Sequence, residues 1–474
     1  MIVTGHYVAG RLIAGSTEEL TEVYDPSTGE LIGGASEAAP GLVSAAVAAA
    51  AAAAPEWGAT SLAERAAFIE AWREKLLTET DVLLDLTVDE LGLTPTFAKN
   101  VHVDRSTNCL VGLDALARTV LTTRTVANSL VVREPAGTLA AITAWNFPLH
   151  QLVSKIAAGL IMGNTVVLKP SEMKPLAAWR ATELLAELGL PAGVVNVVGG
   201  RGPTVGAALV AERDIDVISF TGSREVGKAI MVASSATLTR SVLELGGKNA
   251  AIVLPDADLD AALPAVLASC FFNNGQVCGA QTRLIVTRAQ LAEVEQRVAA
   301  IVAGTVVGAA RAPGTVLGPL VSMSQRQRVS DYIGYGIESG LRITAGGNGC
   351  PQEVPEAGYF VRPTVFSDVP VEHKLAQEEI FGPVLVIQAC DGVDEMITVA
   401  NATRYGLTAA VWGADVEEAT AVARRLRAGQ VNINGGAFNL HAPYGGFKES
   451  GNGREHGLEG LAEFTEVKSI QLPS

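Results

Sequence analysis

Basic residues are in short supply in this sequence. Lysine and arginine number 35 against 50 aspartates and glutamates, a formal net charge of −15. A field of that sign repels phosphate backbones and anionic lipid. With no Lys/Arg-rich block and no zinc-ligand Cys/His spacing, the usual marks of a nucleic-acid module are missing. Neither a nucleic-acid partner, nor a membrane partner, nor a metal site is expected. Cysteine is equally scarce: Cys109, Cys270, Cys278, Cys350 and Cys390 are odd in number and scattered. That argues against a disulfide framework and for free thiols in a reducing compartment. The N-terminal MIVTGHYVAGRLIAG lacks the basic start, apolar run and small-residue cleavage pattern of a secretory signal, so the expected location is the cytoplasm. No run approaches the roughly 20 strongly apolar residues that a bilayer demands. The longest small-apolar run, Ala45 to Ala54, reads as a helix ended by Pro55. No internal repeat or low-complexity linker is visible, and GGNGCPQEVPEAG (346–358) is the most loop-like stretch.

What is present is the composition of a folded enzyme: 48% hydrophobic and 18% charged residues, with 49 glycines in 474 positions. The length allows about three average domains, or two large lobes around one cleft. From residue 130 onward, short β-rich runs alternate with longer helical patterns. They are TLAAIT (138–143), NTVVLK (164–169), VVNVV (194–198), DVISF (216–220) and AAIVL (250–254). A second series follows in QTRLIVT (281–287), VLVIQAC (384–390), AAVWG (409–413) and QVNIN (430–434). Alternation of this kind predicts an α/β fold with parallel sheets and crossover helices, in two successive lobes. Leu62 to Leu77 and Leu176 to Leu188 read as scaffold helices. One piece fits neither lobe. TVLTTRTVANSLVVREP (119–135) predicts two strands around Ala127-Asn128-Ser129, and a lone hairpin is marginal in water. It needs a partner, which FTEVKSIQLP (464–473) or another subunit could supply.

Four segments carry residues suited to chemistry. In NNGQVCGAQTR (273–283), Cys278 sits on a turn at a strand's edge where a substrate can reach it, although an isolated cysteine is more often an ordinary buried thiol. In VLELGGK (242–248), Glu244 precedes two glycines that allow close approach of a ligand or backbone; it is a candidate base, or else one half of a surface ion pair. In AITAWNFPLH (141–150), a strand runs into Asn146, whose amide can face a developing oxyanion, unless it serves only the aromatic-Pro turn. In DVISFTGSREVGKAI (216–230), strand, Gly turn and helix start make an anion site. This is not the GxGxxG fingerprint, and GGRGPTVG (199–206) nearby is either a second glycine-rich site or a plain loop.

Taken together, AWNFP, KPSE, FTGS, LELGGK, GQVC, EEIFGP and PYGGFKESGNGRE stand in an order and spacing that resembles the aldehyde dehydrogenase superfamily over nearly the whole chain. The resemblance implies an aldehyde dehydrogenase-like α/β fold. A Rossmann-type cofactor lobe would occupy 1–116 and 136–246, and an α/β catalytic lobe 247–446. A β-hairpin oligomerisation bridge would come from 117–135 and 460–474 and form a homodimer or homotetramer. It implies NAD-dependent oxidation of an aldehyde to a carboxylic acid, with NADP disfavoured by the carboxylate of Glu172. Cys278 would be the nucleophile, passing through a thiohemiacetal and a thioester. Asn146 and the Cys278 backbone N–H would hold the oxyanion, and Glu244 would activate water. Lys155 and Glu455 match positions of a proton relay. The cofactor would contact Thr143, Trp145, Lys169, Ser171 and Glu172, then Gly202, Gly206, Phe220, Gly222, Ser223 and Val226. Leu245, Gly246, Glu379 and Phe381 would complete its contacts.

By position, the same resemblance implies a substrate pocket lined by Phe147, Gln151, Ser154, Ala268, Phe272, Val277, Gly279, Asn439 and Tyr444. Small or polar side chains at 154, 268, 279 and 439 suit bulky or partly polar aldehydes better than acetaldehyde. Two rivals share the fold: an acylating enzyme that releases the acyl group to coenzyme A, and a binding protein that has lost catalysis. Glu244 opposes the first, because thiolysis needs no water-activating base; Cys278, Glu244 and Asn146 together oppose the second.

Overall fold

The computed structural model describes residues 2–18, 20–352 and 354–473. The β-rich runs between 138 and 244 form the middle of an eight-stranded sheet. Thr138–Ile142 is central. Thr165–Lys169 and then Val195–Val197 join parallel on one side, and Val217–Thr221 and then Arg240–Glu244 on the other. Strand order therefore reverses beside Thr138–Ile142, and a crevice opens at the carboxyl ends of the strands. Lys169, Thr221 and Glu244 end their strands there, with Thr143 just beyond Ile142.

Every residue of Thr138–Ile142 and Thr165–Lys169 is buried, because helices cover both faces. One face carries Leu62–Thr78, Pro148–Ile161 and Leu176–Ala186, packed through Trp72, Leu76, Leu152, Ile156 and Leu184. Arg65 is buried among them, with Nε donating to Ile161 O at 3.0 Å and Nη1 to Thr60 O at 2.7 Å. A cation thus satisfies carbonyls at two helix ends. The other face carries Leu42–Ala59 through Val43, Ala46, Val47 and Ala50.

Leu42–Ala59 departs from expectation: Pro55 does not end it, and the helix runs on to a turn at Thr60. Proline removes one N–H donor and is exposed here, so the continuing turn loses only the bond to the Ala51 carbonyl. At 18 residues this is the one helix among those described that is long and apolar enough, by length and composition, to cross a membrane.

The second series of runs forms a seven-stranded sheet, from Arg342–Ala345 through Thr364–Ser367, Val384–Cys390, Arg283–Thr287, Ala250–Val253 and Thr408–Trp412 to Gln430–Ile433. All neighbours are parallel except the Arg342–Ala345 edge. Glu244 ends a strand of the first sheet, and six residues later Ala250 begins one of the second. Carboxyl ends of one sheet thus connect to amino ends of the other across Leu245–Asn249. The 119–135 segment makes the expected hairpin, Arg124–Val126 and Ser129–Pro135, and Thr465–Gln471 pairs antiparallel along all seven residues of the longer strand. Gly451–Asn452 closes the first sheet beside Arg240–Glu244.

Candidate active site

Cys278 lies between the two sheets, in a loop that side-chain amides hold in place. Asn249, just before the strand Ala250–Val253, donates its Nδ2 to Cys278 O at 2.7 Å and to Ala280 O at 2.9 Å. Its Oδ1 accepts from Thr408 N at 3.0 Å. Upstream, the helix Leu259–Phe271 gives way to Asn273 and Asn274, both left-handed at φ 53° and 57°. Asparagine enters that region more readily than other side-chain-bearing residues. The reversal lets Asn273 Nδ2 donate to Asn146 O at 3.1 Å and Gln276 O at 3.2 Å.

Asn146 is itself fixed at both ends of its amide. Nδ2 donates to Gln276 O at 3.1 Å, and Oδ1 accepts from Gln151 Nε2 at 3.2 Å. Pro148 starts the following helix and Gln151 lies in its first turn, with Oε1 accepting from Ala144 N at 2.7 Å. Gln276 O takes one of the two Nδ2 hydrogens of Asn146.

Cys278 Sγ is 3.5 Å from Tyr444 Oη. Burial pushes the thiol up to about 12, against the Tyr444 hydrogen bond, which lowers it. It is therefore protonated at neutral pH and needs a proton acceptor to become a nucleophile. Glu244 is buried, and neither carboxyl oxygen has a hydrogen-bond partner. Burial first, then Glu455, raise its pKa well above the carboxylate range, while Lys155 and Arg454 oppose them. A buried carboxyl with no partner, its neutral form favoured by burial, is open to take part in proton exchange with a water or thiol beside it. Gly445 leaves it room: a Cβ there would lie 2.5 Å from Glu244 Oε1. Behind it, Lys155 Nζ is bound to Ser219 Oγ at 2.7 Å and paired with Glu455. Although burial opposes it, the Lys155 charge holds Glu455 below its usual pKa. Glu455 and Tyr444 exchange backbone hydrogen bonds, both 2.7 Å.

At the carboxyl ends of the first sheet, the nucleotide-site residues expected from the sequence converge. Lys169 Nζ is 2.8 Å from Glu172 Oε2, and Gly202 N donates to Glu172 Oε1 at 3.1 Å. Gly206 faces Lys169, whose Cδ a Cβ would meet at 3.5 Å. Ser171 Oγ accepts from Met173 N, and the buried Thr143 Oγ1 is left without a partner. Gly222 has no room for a side chain, since a Cβ would sit 2.4 Å from Phe220 Cζ. Ser223 caps the next helix by accepting from Val226 N at 3.3 Å. Leu245 is buried, with its N–H on Ser450 O. At Gly246 a Cβ would lie 2.1 Å from Glu379 Oε2. Glu379 Oε1 accepts from Gly247 N at 2.9 Å, and burial pushes its carboxyl up to about 7. Phe381, at φ 65°, meets Trp145 edge-on at 5.3 Å. Bare glycine backbone, an orphan hydroxyl and carboxylates at strand ends make a cradle fit for a nucleotide.

The expected pocket residues separate. Val277 and Gly279 flank Cys278 in the chain, Tyr444 lies against it, and a Cβ on Gly279 would lie 3.3 Å from Tyr444 Oη; Phe147 stacks on His102 at 4.6 Å. Phe272 packs on Phe97 at 4.7 Å. Gln151 does not offer its amide to a pocket, since both ends are used on Asn146 and Ala144. Ser154 borders a different cleft with Cys109, Lys155, Leu440 and His441. Ala268 is on the exposed face of its helix. Asn439 is also exposed, its Oδ1 accepting from His441 N at 2.9 Å. Its neighbour Phe438 takes the place beside Tyr444, at 5.5 Å. Sequence inspection also missed Arg105 and His102, whose segment carries no recognisable pattern, and Asn273, which stands in the singled-out 273–283 segment but was given no role.

The comparisons agree with this geometry. The model of the Aldehyde dehydrogenase family matches residues 12–470. A 3-succinoylsemialdehyde-pyridine dehydrogenase from a Pseudomonas species is 37% identical over 465 residues, covering 98% of this chain and 97% of its own. Aldehyde dehydrogenase C from Pseudomonas syringae, solved as a mutant with NAD+ and octanal, superposes at a TM-score of 0.96. It is 41% identical, with coverage of 99% of this chain and 96% of that one. An aldehyde dehydrogenase from Mycobacterium tuberculosis, complexed with NAD+, also gives 0.96, at 42% identity over 100% of this chain and 99% of that one. The chain belongs to the aldehyde dehydrogenase family.

Proposed function

We propose that this protein oxidises an aldehyde to its carboxylic acid with NAD through a thioester on Cys278. Cys278 gives its thiol proton to the Glu244 carboxylate, which hands it on to Lys155 and Glu455, and adds to the aldehyde carbon as a thiolate. The resulting oxyanion is held by Asn146 Nδ2 and the Cys278 N–H, in a site where losing one such donor costs about 10²–10³ in rate. NAD, when bound, accepts the hydride from that carbon, and the C=O re-forms as a thioester on Cys278. Glu244 takes a proton from water as it attacks the thioester, the C–S bond breaks, and the acid leaves. Thr143, Lys169, Ser171, Glu172, Gly202, Gly206, Gly222, Ser223, Gly246, Glu379 and Phe381 would hold the cofactor, with Glu172 repelling a 2′-phosphate. Lys155 and Glu455 pass the proton onward.

The observation that carries this proposal is the buried Glu244 carboxyl with no partner, set within electrostatic reach of Cys278. A base is of no use to thiolysis by coenzyme A, so water is the favoured acceptor. Residues 1–116 with 136–246 serve as the nucleotide lobe and 247–446 as the catalytic lobe. The three-stranded sheet of 124–135 and 465–471 serves as the subunit bridge of a homodimer or homotetramer. The five free thiols suit the cytoplasm.

The test is NADH absorbance with an aldehyde panel. Cys278→Ala should give no turnover. Glu244→Gln should give at most one NADH per site and then stall at the thioester. Full activity of Cys278→Ala, or NADH formation that requires coenzyme A, would overturn the mechanism.

A further inference from the structure

Arg105 stands on the short helix Asp104–Asn108. Its guanidinium carbon is 4.1 Å from the ring centre of Phe438 and 5.9 Å from that of Phe147. Phe438 leads to Tyr444, and Tyr444 to Cys278 Sγ. The Arg105 charge is near enough to act on both Tyr444 and Cys278. Its Nε is buried without a hydrogen-bond partner, and among the described residues no carboxylate pairs with it.

The other charges nearby are matched, absent or, like the unpartnered Glu244 carboxyl, not among the groups that act on Arg105. Asp104 is taken by Lys99, and Lys155 by Glu455. Burial lowers His102 to about 3 and His456 to about 4, with Arg105 itself adding to both shifts, and it holds His150 well below its ordinary value. Those rings stay neutral, so Arg105 is an uncompensated cation beside two aromatic faces. Cation–π contact with Phe438 orients it but supplies no counter-charge. A half-buried guanidinium kept without an anion, next to a nucleophile, is prepared for an anion that arrives with the ligand.

We infer that Arg105 receives a carboxylate carried at the far end of the aldehyde, so that the preferred substrates are semialdehydes of dicarboxylic acids. The inference rests on the Cys278 chemistry proposed above and adds its substrate class. The aldehyde end reaches Cys278 and Asn146, the methylenes lie along Phe147 and Phe438, and the carboxylate takes the guanidinium's N–H donors.

The test compares kcat/KM for adipic semialdehyde, its methyl ester and hexanal, with NAD, in wild type, Arg105→Gln and Arg105→Lys. Wild type should favour the acid over the ester on the order of tenfold to a hundredfold, the range of charge-assisted hydrogen bonds. Arg105→Gln should erase that preference, chiefly through KM of the acid, and Arg105→Lys should retain part of it. An ester used as well as the acid by wild type overturns the inference without any variant. A preference that survives in Arg105→Gln overturns the role of Arg105. If hexanal is oxidised and acid and ester are equal, only the substrate class falls. If no aldehyde yields NADH, the Cys278 mechanism falls and takes this inference with it.

Discussion

Replacing Gln151 separates a residue that lines a pocket from one that holds another residue still. Its Oε1 accepts from the half-buried Ala144 N at 2.7 Å and its Nε2 donates to the buried Asn146 Oδ1 at 3.2 Å. Gln151→Met preserves shape and removes both bonds. The Ala144 N–H is left unsatisfied, which destabilises the fold by about 1–3 kcal/mol. Asn146 keeps only its bond to Gln276 O, so its amide can swing away from the oxyanion. Losing the oxyanion donor outright costs about 10²–10³; loosening it by the worth of one hydrogen bond, about 1.4 kcal/mol, lowers kcat about tenfold. Gln151→Glu retains the acceptor for Ala144 N but turns an oxygen toward Asn146 Oδ1. It should recover part of the stability and none of the rate. Steady-state NADH kinetics and urea unfolding of both variants supply the readouts. A Gln151→Met enzyme with kcat within twofold of wild type and a raised KM would refute the account and return Gln151 to the substrate pocket.

Three further outcomes follow from the geometry. Gly246→Ala pushes a methyl against Glu379 Oε2, which a Cβ would approach to 2.1 Å. Dissociation of NAD, followed by fluorescence titration, should weaken about tenfold or more. Arg65→Met strips the Ile161 and Thr60 carbonyls of their buried donor; unfolding should cost about 2–4 kcal/mol less, with no change in KM. Glu379 has a carboxyl raised from 4.5 to about 7 when folded. Its contribution to stability is therefore full below about pH 4.5 and is lost as pH rises through about 7. Between about pH 5 and 8 the wild type should lose on the order of 2 kcal/mol more than Glu379→Gln, measured by denaturant midpoints; parallel curves would contradict the burial argument.

The central strands were legible because TLAAI and TVVLK are apolar on both faces, as strands covered on both sides must be. His6–Val8 and Arg11–Ile13 were not, since three residues show no alternation and one pair is held only by sheet neighbours. Arg240–Glu244 escaped notice because charges stand at both of its ends. Cys278, Glu244 and Asn146 could be found from local motifs; what holds them could not. Asn249, Asn273 and Gln151 act through bonds to carbonyls and amides distant in sequence, which composition does not encode. Asn439 and Phe438 are adjacent, and only the backbone turn decides which of them faces Tyr444.

The strand that ends in Glu244 has its outer neighbour at Gly451–Asn452. During synthesis that edge stays bare until some two hundred further residues have been added, roughly 10–40 s at ribosomal speeds of about 5–20 residues per second. Tyr444 and Glu455 arrive in the same final stretch. A nascent chain therefore cannot harbour a working thiol centre, however well its earlier strands have folded, and its open sheet edge is the point at which a chaperone would be needed.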